Sequence, residues 1–160
     1  MRIMERHKVL AVSVAKGRIG YIFLIGEELR DWGLSVKAYK SKSHLAMWFQ
    51  DQINYLTPEI VVTEKITSRC RKGRRSKRLT RMLASIAENN VVLDVAVPRP
   101  RVHGCKYTEA RTIVKRYPEL KGWLPKKRRY FEDEPRNTII FEALALAEAA
   151  LSGPPEGNGR

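Results

Sequence analysis

Two acidic side chains stand where a carboxylate has little structural reason to be. Glu64 directly follows the apolar run IVVT (60–63), at the carboxyl end of what reads as a buried strand, where open α/β sheets gather their ligands. Glu142 interrupts the apolar stretch FEALALA in what reads as the last helix. Between them the chain concentrates its charge: Lys65, Arg69, Arg71, Lys72, Arg74, Arg75, Lys77, Arg78 and Arg81 follow one another with no intervening acid. Arg71, Arg74, Arg75 and Arg78 recur at spacings of three and four, which lines guanidinium groups along one side of a helix, opposite the apolar stripe Leu79, Met82, Leu83 and Ile86. A guanidinium fork can hold phosphate oxygens bidentately, and each phosphate neutralised releases counterion, so the row reads as a track for a nucleic-acid backbone. A second cluster, Lys126, Lys127, Arg128 and Arg129, sits beside Trp123 and Tyr130, a mixture that can stack on unpaired bases or simply anchor a loop.

Composition narrows the partner class. The 160 residues carry 31 Lys+Arg against 17 Asp+Glu, a formal charge of +14 that attracts polyanions, while 43% hydrophobic content is that of a globular chain and excludes wholesale disorder. Cys70 and Cys105 form no Cys-x-x-Cys pair, and His7, His44 and His103 are not accompanied by the set of Asp or Cys partners that a triad or metal cluster needs, so the spacing supports neither a zinc knuckle, a redox pair nor a catalytic triad. AKGRIG lacks the Gly-Lys-Ser/Thr ending of a phosphate loop and joins two strands. No apolar run is long enough to span a bilayer and the first residues do not read as a signal peptide, so the expectation is a soluble protein with no membrane partner, cytoplasmic and associated with the nucleoid.

The elements that must position these groups follow from the change of period along the chain. Residues 9–14 and 19–25 are β-branched runs around the turn-like AKGR, and 32–39 alternates as a third, edge-like strand. Leu45, Phe49, Ile53 and Leu56 mark a helix with Ser43 as N-cap and Pro58 beyond its end. A strand at 60–63, a helix carrying the Leu79 stripe, a strand at 91–97, a helix at 106–117 and an Ala-rich helix at 136–151 complete the order. This predicts an α/β domain over residues 1–151, a mixed five-stranded sheet with three antiparallel strands followed by parallel ones, flanked by helices, and a disordered Gly- and Pro-rich tail at 152–160.

This order, with the segments VLAVSVAKGRIGYIFL, DWGL, PEIVVTEK, KYTEARTIVKRYPELKGWLPKK and IIFEALALAEAAL, resembles RuvC-type Holliday junction resolvases and their RuvC-like relatives, members of the ribonuclease H-like superfamily, over residues 8–151. The resemblance implies a homodimer acting on branched DNA with Mg2+ or Mn2+. It maps Glu64 onto the strand-end metal-holding glutamate, Glu142 onto a last-helix aspartate, and Lys106 near a lysine used on the scissile phosphate. The first-strand aspartate falls on Ser13, whose neutral hydroxyl cannot bridge two magnesium ions, and Lys16 offers no replacement. Three readings stay open: a branched-DNA-binding protein on a scaffold that has lost its reaction; an active endonuclease using Glu64, Glu142 and a further acid such as Asp133 or Glu134; and a structured-RNA-binding protein.

Overall fold

The computed structural model describes residues 7–100, 106–126 and 135–152. Lys127, Arg128, Arg129, Tyr130, Asp133, Glu134, His103, Cys105 and residues 153–160 of the expected tail lie outside them, while Ser152, expected to open that tail, is the last residue of the final helix. Strands β1 (Lys8–Ala15) and β2 (Arg18–Ile25) form a hairpin whose turn places Gly17 at φ +85°, a backbone conformation that favours glycine. β3 (Glu28–Ser35) pairs antiparallel with β2, while β4 (Ile60–Glu64) and β5 (Leu93–Val97) run parallel to β1, giving the order β3-β2-β1-β4-β5. The expected mixed sheet is therefore present. β3 starts earlier than the alternation at 32–39 suggests. Glu28 and Arg30 belong to the strand and ion-pair at 2.6 Å on its exposed side, and the residues Lys37–Tyr39 form a 3-10 turn. An edge strand with one solvated side can carry charges that read as a loop.

Helices cover both faces. Strand alternation sends Leu10, Val12 and Val14 of β1 to one side, with α1 (Lys42–Leu56) and α2 (Arg74–Glu88), where Leu45, Phe49, Leu79 and Leu83 close the core. Val9 and Ala11 face the other side, under α4 (Thr138–Ser152) and α3 (Lys106–Arg116), against Ile113, Phe141 and Leu144. Arg116 holds α3 to α4 through a bidentate pair with Glu148 at 2.6 and 2.9 Å. Ser41, one residue outside α1, is its N-cap: in extended conformation, its hydroxyl accepts from the His44 amide at 3.1 Å. Ser43, the expected cap, lies inside the first turn. Among the described residues no helix is long and apolar enough to cross a membrane.

Candidate functional site

The same alternation that builds the core places the site. Ser13 is two residues beyond Ala11 in β1, and Glu64 two beyond Val62 in β4, so both side chains emerge on the α4 face at the carboxyl ends of adjacent parallel strands. Ser13 is paired across the hairpin with Gly20 of β2, and a Cβ there would lie 2.6 Å from Ile139 Cγ2. The missing side chain lets the first turn of α4 rest on the sheet. Arg18 steadies that turn by donating to Thr138 Oγ1 at 3.1 Å. Glu142, one turn past Ile139, then reaches down onto β1, and the Ser13 hydroxyl donates to Glu142 Oε2. Ser13, Glu64 and Glu142 are each buried, and one ammonium, that of Lys72, lies within 3.4 Å of all three, so the three positions singled out in sequence do converge.

Lys72, expected to lie among the outward cations, is turned inward between them. Its Nζ lies 2.5 Å from Glu142 Oε2, 2.7 Å from Glu64 Oε1, 2.5 Å from the Val14 carbonyl and 3.4 Å from Ser13 Oγ. The Glu64 contact is a charge pair and not an aligned hydrogen bond. Burial pushes the Lys72 ammonium pKa down, but Glu142 and Glu64 outweigh it and hold the pKa above the usual lysine value. Burial likewise pushes the Glu142 carboxyl up, while Lys72, Arg99 and the hydrogen bonds from Lys72 and Ser13 bring it below the usual carboxylate range. Two charged, mutually neutralising groups result.

Arg99, in the segment after β5, forms a second cationic wall: Nη1 is 3.2 Å from Glu142 Oε1 and Nη2 is 3.4 Å from Glu109 Oε1. Cys70 Sγ lies 3.7 Å from Glu64 Oε2. Neither Arg99 nor Glu109 was singled out in sequence. Glu109 was findable, since it falls on the buried stripe of α3 with Ala110 and Ile113; Arg99 carries no local signal. Among the described residues no three acidic, His or Cys side chains gather closely enough to hold a metal ion.

Outside this pocket the cations divide. Arg69, Arg71, Arg74, Arg78 and Arg81 are exposed and Lys77 partly so, with Arg74, Arg78 and Arg81 at helical spacing on one side of α2. Arg75 turns aside: its guanidinium donates to the Tyr39 carbonyl at 2.7 Å and to that of Lys40, and lies 4.9 Å over the Tyr39 ring. Lys106 is the partly buried first residue of α3; Lys126 and Trp123 are exposed at the end of the 3-10 turn Pro118–Trp123.

No protein-family model matches the chain, and no curated protein matches it in sequence. Its fold is nevertheless shared. Thermus thermophilus RuvC superposes with a TM-score of 0.58 at 14% identity, covering 88% of this chain and 90% of that one. The fowlpox virus Holliday junction resolvase superposes with the same TM-score at 9% identity, covering 92% and 99%. A complex of T. thermophilus RuvC with a Holliday junction substrate superposes at 0.56, 14% identity, 88% and 90% coverage. The chain therefore has the ribonuclease H-like fold of these resolvases, at identities that establish architecture alone.

Proposed function

We propose that this protein binds branched DNA on a RuvC-like nuclease scaffold without performing metal-dependent cleavage. The observation that carries the reading is Ser13: within the carboxylate pocket stands a neutral hydroxyl that donates a hydrogen bond to Glu142. An in-line phosphodiester displacement between two metal ions needs an anionic group bridging them, and a serine hydroxyl is a poor one. The exposed arginines of α2 and the segment before it supply a phosphate-binding face independent of that chemistry. Solved relatives of the fold include resolvases bound to Holliday junction DNA, which favours a four-way junction over linear duplex as the ligand. A junction has two-fold symmetry, and two copies of this chain related by a matching axis would present two such faces to its arms.

The test is competition at one fixed salt concentration between a four-way junction, a duplex of the same sequence and a structured RNA, with Mg2+ or Mn2+ added and the strands inspected for cutting. The expected result is tighter, salt-sensitive binding to the junction with the strands intact. Preference for RNA would replace the DNA reading. Cutting that disappears in Glu64→Gln while binding persists would instead establish an active endonuclease.

A further inference from the structure

The fold family places divalent metal between the carboxylates at this end of the sheet, and the residues present do not fit one. The place between Glu64 and Glu142 is filled by a side chain of the protein itself. The Lys72 ammonium meets oxygens from β1, β4 and α4 within 2.7 Å, and its side chain is only 14% exposed. Magnesium takes oxygen ligands at about 2.0–2.1 Å in an octahedron, and an ion held by both carboxylates would have to share the volume that Nζ occupies. Charge points the same way in part: Lys72 neutralises one of the two charges of Glu64 and Glu142, and Arg99, shared with Glu109, offsets part of the other, so the pair has lost most of the field that would draw in a divalent ion.

We propose that Lys72 is the resident cation of this site, doing for Glu64 and Glu142 what a divalent metal ion would otherwise do. The assignment rests on the reading of the scaffold as non-cleaving and explains how such a scaffold keeps two buried carboxylates. It also gives the ammonium a mechanical role. Lys72 lies in the segment 65–73 that joins β4 to α2, and its contacts with Val14, Glu64 and Glu142 pin that segment across the strand ends. Arg71 and Arg74 flank the pinned residue and are exposed.

The experiment is a thermal melt and calorimetric titration of the full chain with Mn2+ alone, an oxygen-seeking ion suited to carboxylates. Wild type is expected to show no saturable binding and no change in Tm at millimolar Mn2+. Lys72→Met leaves the carboxylates without their cation, melts roughly 10 °C lower, and regains much of that loss on adding Mn2+. Lys72→Met/Glu142→Gln, with a charge removed on each side, melts above the single variant and no longer responds to Mn2+. Should Lys72→Met not fold in metal-free buffer, recovery on refolding with Mn2+ supports the assignment, and failure to recover overturns it. It is also overturned if wild type binds Mn2+ in a manner lost in Glu64→Gln, or if folded Lys72→Met is indifferent to the ion. No DNA enters these measurements. Their failure would leave junction binding standing, and loss of junction preference would leave the cation assignment standing.

Discussion

Glu109 sits on the buried side of α3, with Arg99 3.4 Å from one carboxylate oxygen and no hydrogen-bond partner on the other among the described residues. Burial raises its pKa, Arg99 opposes this, and the balance is a carboxyl pKa above the ordinary value. The folded state therefore takes up this proton more readily than the unfolded chain. The stability it contributes is present below the unfolded pKa and is lost as pH rises through the folded one. Glu109→Gln, a permanently neutral analogue of the protonated form, should raise Tm at pH 7 and lose that advantage near about pH 4, where Glu109 itself is protonated when unfolded. Paired melts across pH decide it: a gain that does not vary with pH would mean that ionisation is not its cause. At this scale the sequence was informative where periodicity applies. Glu64 and Glu142 stood out as acids at a strand end and in an apolar helix, while Ser13 was placed with them only by the resemblance to RuvC-type resolvases; strand parity accounts for why Ser13 and Glu64 emerge on one face. Lys72 lies in a segment of no regular period, and nothing in a run of cations marks the one that turns inward.

The N-terminus of α2 is an unusual place for cations. Gly73 caps it without a side-chain hydrogen bond, the first turn holds no acid, and Arg74, Arg75, Lys77 and Arg78 gather at the positive end of the helix dipole. Each such charge near the end costs a few tenths of a kcal/mol up to about 1 kcal/mol unless an anion covers it. Local stability has been given up on the surface assigned to phosphate. Arg74→Glu should therefore stabilise the free protein by roughly 0.5–1 kcal/mol in urea unfolding while weakening junction binding several-fold. A variant that loses both stability and affinity would show that Arg74 is structural. The elements themselves were legible where an apolar stripe faces a core, as for α1, α2, β1, β2 and β4. They blurred where a side is solvated: β3 carries Glu28 and Arg30 and lay four residues earlier than its alternation suggested, and the strand expected from residue 91 begins at Leu93, beyond the fully exposed Val91.

Across the whole molecule the net charge of +14 is not distributed as scattered surface pairs. Lys72 and Arg99 are taken up by the pocket's carboxylates, Arg116 is paired with Glu148, and Arg75 is turned onto carbonyls and the Tyr39 ring. Between Arg69 and Arg81 that leaves Arg69, Arg71, Arg74, Lys77, Arg78 and Arg81 as the cations that face water. If each meets one phosphate, the logarithm of the association constant should fall against the logarithm of salt concentration with a slope near about −5. Arg78→Ala/Arg81→Ala should flatten that slope by roughly 2. Phosphate contacts fix register without reading bases, so if the junction preference comes from how two copies are related and not from the row within one copy, the double variant should lose affinity for junction and duplex by the same factor and keep whatever preference exists between them. A slope unchanged by the double variant would show that this row is not the phosphate track. A flattened slope accompanied by loss of the junction preference would mean that the row itself distinguishes crossing strands from a linear helix.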